Sequence, residues 1–300
     1  MNTSALKSFA PNVRNQLLEA VERKLDYTLT ADTPDLREKG TQIASLRRQA
    51  EADRDALIER AAYTWFNRLA ALRFLDARHW HPFRSRVLTP ATEEETQPEL
   101  LKQFRNGSLP DEFAPFVDSA RLRDLLDGRL PTAIAGADPQ GEVYRHLILA
   151  ACRYYHALMP FMFEEIDDET ELLLPDDLLT QASPVEGFRT EILDKDCEEV
   201  EVLGWLYQFY ISEKKDAVMA RKKAVPSEDI PAVTQLFTPH WIVRYLVENS
   251  LGRLWLRSRP NSRLKEHMPY YVEDPEGQAP ADRLTVATPE EIKLLDPACG

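Results

Sequence analysis

Glu291-Ile292-Lys293-Leu294-Leu295-Asp296-Pro297-Ala298-Cys299-Gly300 stands at the C-terminal end of the chain, and its reading decides the fold class. A short apolar run ends on Asp-Pro and passes into small residues. A buried parallel strand feeding a tight loop has this form, because both of its faces are covered and its apolar side chains need not alternate. Small residues after the strand allow close backbone approach. The pattern predicts the start of an α/β domain.

Working back from there, residues 258–289 are polar and proline-containing. Before them, Trp241 to Leu256 (WIVRYLVENSLGRLWL) carries a strong helical pattern. Pro239 suits the first turn of that helix, where its missing N–H is no loss. Pro226, Pro231 and Pro239 punctuate the approach and mark a change of style, so the expected boundary divides a helical domain, residues 1–225, from residues 226–300.

The first 225 residues read as helical. Leu46, Ala50, Leu57, Ala61, Trp65, Leu69 and Leu72 fall on one stripe through steps of three, four and seven, with Arg48, Glu51, Arg54 and Glu59 left for the wet side. Further helices are expected over residues 142–159 and 198–215, the second with Val202, Trp205, Leu206, Phe209 and Tyr210 on a broad apolar face. Residues 89–98 lack any period and read as an exposed loop. Residues 111–141 read as short helices joined by turns at 128–131 and 136–141.

The chain has 300 residues and a formal net charge of −13, from 37 basic and 50 acidic side chains. Modules that grip nucleic acid alone usually carry a basic face, so this balance argues against tight DNA binding by these residues unaided. Three widely spaced cysteines, Cys152, Cys197 and Cys299, offer neither a disulfide framework nor a zinc knuckle. With no segment of membrane-spanning or signal-peptide character, the expected location is the cytoplasm, with no membrane partner.

Two motifs point to chemistry. Asp296-Pro297-Ala298-Cys299-Gly300 resembles motif I of the amino-methyltransferases, Asp-Pro-Ala-Cys-Gly-Ser-Gly, which ends the first strand of a Rossmann-like sheet. Gln235-Leu236-Phe237-Thr238-Pro239 resembles motif X of the same enzymes, an aromatic followed by Thr-Pro. In that family the threonine and the following helix N-terminus meet the cofactor's carboxylate, where unpaired N–H groups and the helix dipole favour an anion. Motif X before motif I is the order of the gamma class of adenine methyltransferases.

A narrower resemblance covers most of the chain. Residues 203–218 and 230–256 are very similar to the N6-adenine DNA methyltransferase of bacterial BREX phage-defence systems, the PglX family. AAYTWFNRLAALRFLDARHW (61–80) and IDDETELLLPDDLL (166–179) also look like that family's helical N-terminal region. The resemblance implies a mainly α N-terminal domain followed by the start of a class I methyltransferase domain. It implies S-adenosyl-L-methionine as cofactor, with Gln235, Phe237, Thr238, Asp296, Ala298 and Gly300 as its contacts. It also implies double-stranded DNA and other phage-defence proteins as partners. The base-holding Asn/Asp-Pro-Pro-Tyr/Phe is absent; His267-Met268-Pro269-Tyr270 lacks its acceptor and first proline. Catalytic residues are therefore expected downstream of Gly300, and the chain is expected to be an inactive front portion. Two other readings stay open: the modification part of a restriction–modification enzyme, and a non-catalytic helical module that docks defence proteins. The role of residues 258–289 is open too.

Each singled-out residue also has a plain structural reading. Thr238 suits a helix cap, Asp296 a strand-end turn, Cys299 a small buried filler. Trp65, Phe66, Arg68 and Arg73 could form a base-stacking platform with phosphate clamps, but on an amphipathic helix they read as core. His79 and His81 lack a third ligand for a metal. Lys214, Lys215, Arg221, Lys222 and Lys223 form the clearest basic cluster, either a solvated helix end or a contact to DNA backbone. The acidic run 164–171 reads as an exposed turn.

Overall fold

The structure is a computed structural model that describes residues 3–134, 136–160, 163, 169–221, 224–234, 236–273 and 284–295. It divides into two compact units, Met1–Ala224 and Val225–Gly300. Among the described residues every regular element is helical.

The first unit holds α1 (Thr3–Thr30), α2 (Pro34–Glu38), α3 (Gly40–Arg78), α4 (Glu99–Asn106), α5 (Ser119–Leu126), α6 (Pro139–Leu158), α7 (Pro184–Glu191), α8 (Glu201–Tyr210) and α9 (Ser212–Ala220). Its core lies where α1 runs along α3 and both meet α7 and α8. The expected stripe of α3 faces that core: Leu46, Leu57, Ala61, Trp65, Leu69 and Leu72 are buried, and Ala50 packs against them half-buried. Gly187 of α7 permits a close crossing, since a Cβ there would lie 3.1 Å from Val13 and 3.2 Å from the Phe9 ring. Phe9 and Phe188 then meet edge to face at 5.1 Å.

Several helices begin on the same local device. Thr33-Pro34, Asp138-Pro139 and Ser183-Pro184 each place an oxygen-bearing side chain at the cap and proline at the first helical position. The side chains accept N–H bonds from Leu36 (3.3 Å), Gln140 (3.0 Å) and Glu186 (3.2 Å). The cap satisfies an orphan donor while proline supplies none.

Some expectations are revised. The α3 stripe runs through a kink: Asp53 has extended backbone (φ −159°, ψ 94°) and its carboxylate accepts the Ala56 N–H at 3.0 Å. Asp53 therefore caps a second helical segment inside a continuous apolar pattern. The single helix expected over 198–215 is two, α8 and α9, broken at Ile211. The loop 89–98 is exposed over 91–94, but Val87, Leu88 and Thr89 at its start are buried. In the described part of the acidic run, Glu171 is buried and held by both nitrogens of a fork from Arg153 (3.0 and 2.6 Å), not exposed. A charge in the core persists only with such a partner.

The second unit holds α10 (Ile230–Thr234), α11 (His240–Val247) and α12 (Arg253–Ser258), the last two joined through a π-helical turn at Glu248–Gly252. The expected helix over 241–256 is thus formed. The polar segment after it folds back along this helix. Glu248 accepts the Tyr270 N–H (2.6 Å), and Asn249 receives the Val272 N–H (2.9 Å) while donating to the Tyr270 carbonyl (2.8 Å). Arg253 donates to the Val272 carbonyl at 2.9 Å.

The strand expected over 292–295 is not formed. Those residues carry no regular structure, and Leu294 and Leu295 are 72% and 85% exposed. A parallel strand needs neighbouring strands to pair its N–H and C=O groups, and none exists among the described residues.

Candidate functional site

Of the residues read as cofactor contacts, Phe237 and Thr238 are described; Gln235, Asp296, Ala298 and Gly300 lie outside the described residues, as does Cys299. Phe237 is half-buried and Thr238 exposed, in the extended approach to α11. The helix starts at His240, one residue later than expected, with Pro239 at the cap position (φ −53°, ψ 140°). The Pro239 carbonyl accepts the N–H groups of Ile242 (2.9 Å) and Val243 (3.3 Å). Pro239 itself has no side chain with which to cap the helix, and Thr238 makes no cap bond to it.

That last fact separates Thr238-Pro239 from the other oxygen–proline pairs. Thr33, Asp138 and Ser183 spend their side-chain oxygens on the helix they precede; Thr238 does not. The backbone places proline one position earlier, so the threonine falls outside hydrogen-bonding range of the first-turn donors. A helix N-terminus beside an exposed hydroxyl suits an anionic oxygen group. The residues present therefore fit the carboxylate end of S-adenosylmethionine, and they do so without the motif I residues being placed.

Of the basic cluster, Lys214 and Lys215 lie on α9 and Arg221 follows it; Lys214 and Arg221 are exposed and Lys215 half-buried. Lys222 and Lys223 lie outside the described residues. The neighbouring Glu213 is exposed and pairs with Arg14 (3.7 Å) and Asn15 (3.5 Å).

The alternative reading of the Trp65 helix as a stacking platform is overturned. Trp65, Phe66, Arg68 and Arg73 are all buried. The Trp65 indole N–H donates to the Thr170 carbonyl at 3.0 Å, and Arg68 lies over its ring at 4.8 Å. Arg73 donates to the Ile192 carbonyl and to Asp194, both at 2.6 Å. His81 is enclosed between Asp76 and Tyr155. The thiols of Cys152 and Cys197 are free and buried, pushed up by burial to about 12 and about 11, which leaves them unreactive. Among the described residues no helix is long and apolar enough to cross a membrane.

The sequence reading passed over one face of α6. Glu142, Arg145 or His146, Leu149 and Arg153 recur at steps of three and four residues along one side of the helix, and they line a cavity of about 530 Å³ within the first unit. The signal was present as a second, polar stripe on a helix already recognised from its apolar one.

Along its whole length the chain is similar to proteins named adenine-specific methyltransferases. It is 42% identical over 338 aligned positions to the adenine-specific methyltransferase BrxX of Escherichia coli O9:H4 (strain HS), an alignment covering all of this chain and 26% of that protein. It is 32% identical over 349 positions to the adenine-specific methyltransferase PglX of Lacticaseibacillus casei (strain Zhang), covering all of this chain and 28% of that protein. The chain thus spans about a quarter of the length of the curated relatives it matches. No protein-family model matches it.

Proposed function

We propose that the chain is the N-terminal portion of a site-specific DNA methyltransferase that moves a methyl group from S-adenosylmethionine to N6 of adenine, marking DNA in a bacterial phage-defence system. The observation that carries this reading is the alignment, over the whole of this chain, to two proteins named adenine-specific methyltransferases from different bacteria. Its organisation follows the sequence: a helical domain over residues 1–225, then, from 226, motif X, an inserted segment and motif I at the start of a Rossmann-like sheet.

S-adenosylmethionine supplies an electrophilic methyl group when bound. The Thr238 hydroxyl and the start of α11 would hold its carboxylate, with Gln235, Phe237, Asp296, Ala298 and Gly300 as its further contacts. Trp241, Tyr245 and Leu246 of α11 are exposed, as are Leu294 and Leu295. In the completed domain these apolar side chains pack against further strands, since an exposed apolar surface of this kind marks an interface. Lys214, Lys215, Arg221, Lys222 and Lys223 meet DNA phosphates, which position the duplex without reading sequence. The target adenine leaves the stack to reach the transferring group, and the residues that accept its amino hydrogens lie downstream.

Labelled S-adenosylmethionine tests the reading. The protein at the full length of its relatives transfers label to N6 of adenine in duplex DNA, and the 300-residue chain alone gives none above blank. Absence of N6-methyladenine from the full-length reaction overturns the assignment. Turnover by the 300-residue chain overturns the division of labour.

A further inference from the structure

The cavity within the first unit combines an apolar wall with a surplus of hydrogen-bond donors. Its volume, about 530 Å³, lies in the range of small-molecule sites, which pair mostly apolar linings with a few convergent polar groups. Leu36, Phe116, Val117, Leu122 and Leu149 supply the apolar part.

The acids around it are already engaged. Asp35 is held by Arg121 and Asp176 by Lys24. Asp118 and Asp138 cap α5 and α6, and Asp177 accepts the Thr180 N–H at 3.1 Å. Glu142 accepts the Ala133 N–H at 2.8 Å. Glu38, the remaining carboxylate of the lining, is exposed.

The donors are not so engaged. Neither the Lys39 ammonium nor the His146 ring makes a hydrogen bond or ion pair with any described residue, although both line the cavity. Arg145 commits Nε to the Leu174 carbonyl (3.2 Å) and Nη2 to the Glu171 carbonyl (3.0 Å), leaving Nη1. Arg153 commits Nε and Nη2 to the Glu171 carboxylate and likewise leaves Nη1. Burial is the main influence that lowers the proton affinity of Lys39, Arg145 and His146; around His146 the cations Arg145, Arg121 and Lys39 lower it further, whereas around Lys39 and Arg145 nearby carboxylates oppose the effect. Half-buried donors that find no acceptor among the described residues, gathered on one wall of a cavity, are suited to one bound anion.

We propose that this cavity binds a small organic anion, whose phosphate or carboxylate group is received by Lys39, Arg145, His146 and Arg153 while its body lies against Leu36, Phe116 and Leu149. All of these residues belong to the first unit, and none takes part in the methyl-donor contacts assigned above. The site gives the helical domain a small-molecule ligand of its own.

Calorimetric titration of the 300-residue chain with pyrophosphate, citrate, AMP and adenosine tests this. One anion per chain binds with a dissociation constant below about 1 mM, and it raises the melting temperature. Tighter binding of pyrophosphate than citrate identifies a phosphate ligand, and the reverse a carboxylate. AMP binding more tightly than pyrophosphate shows that the apolar wall is used. Lys39→Met weakens the preferred anion about tenfold or more without lowering the melting temperature of the free protein, because Lys39 holds no partner. His146→Gln, which keeps hydrogen-bonding capacity, weakens it less. The proposal falls if none of the three anions binds, if adenosine binds as well as AMP, or if Lys39→Met binds like the parent.

Discussion

Asp76 and His81 lie 2.7 Å apart, carboxylate Oδ1 to ring Nε2, in a setting from which solvent is excluded. The same carboxylate accepts the N–H groups of Val87, Leu88 and Thr89 at 2.7, 2.8 and 2.8 Å, and the Thr89 hydroxyl at 3.0 Å. A carboxylate so used only accepts, so Nε2 carries the hydrogen. Nδ1 then receives the Tyr155 hydroxyl at 2.6 Å. Burial raises that phenol above its ordinary value, so it keeps its proton to donate. One side chain near the end of α3 thereby fastens the following loop and, through His81, α6.

Asp76→Asn keeps the size but turns an acceptor into a donor facing N–H groups. The expected cost is about 3–5 kcal/mol, as for a buried partner removed from its network. Urea denaturation of variant and parent measures it. A loss under about 1 kcal/mol would show that the loop is held by other means.

Trp65→Ala opens a large cavity in the core and frees the Thr170 carbonyl. About 3–5 kcal/mol of stability is expected to go. At a temperature where the variant stays folded, any affinity for DNA is expected to match the parent's. A selective loss of DNA binding from a fully folded variant contradicts the core assignment.

His146 titrates at about 3 in the folded protein, against an ordinary 6.5. Burial is the chief cause, and the charges of Arg145, Arg121 and Lys39 add to it against the opposing pull of Asp35. Above pH 6.5 both states are neutral at this position and its contribution is complete. As pH falls from 6.5 toward 3, the unfolded chain takes up a proton that the folded chain refuses, so stability is lost. At pH 5 the loss reaches at most about 2 kcal/mol. In buffers free of small multivalent anions, His146→Gln flattens the stability curve between pH 7 and 5. Parallel curves for parent and variant would refute the assignment.

Thr238→Val, in the protein at the full length of its relatives, deletes a hydroxyl while preserving the β-branch. Loss of a bond to a charged group is worth about 1.5–3 kcal/mol, so S-adenosylmethionine affinity drops roughly ten- to a hundredfold. Melting temperature stays unchanged, because Thr238 caps nothing. A lowered melting temperature with full affinity would assign the hydroxyl to the fold. Asp296→Asn is the companion variant, and parent-like affinity in both would refute the proposed cofactor site.

Much of this protein was legible in residue order alone, wherever a local rule is also the physical cause. The three-and-four spacing that begins at Leu46 built the core face of α3, because a helix surface repeats at that period whatever it packs against. Helicity over 142–158 and 241–256 follows in the same way. The likeness of residues 203–256 to adenine methyltransferases rested on side-chain identity, which needs no coordinates.

Tertiary structure decided what depends on partners distant in sequence. Apolar character in Leu294 and Leu295 does not make a strand without a neighbour to receive its hydrogen bonds. Whether Thr238 caps its helix turned on a one-residue offset at Pro239, which sets this pair apart from Thr33-Pro34, Asp138-Pro139 and Ser183-Pro184 and which only backbone angles reveal. The acidity of 164–171 suggested water, yet Glu171 is drawn inward by Arg153 from a helix eighteen residues away. The cavity on α6 arises because α1, α2 and α5 bring Lys39 and the apolar wall opposite Arg145 and His146. Periodicity tells which side chains share a face; only packing tells what that face meets.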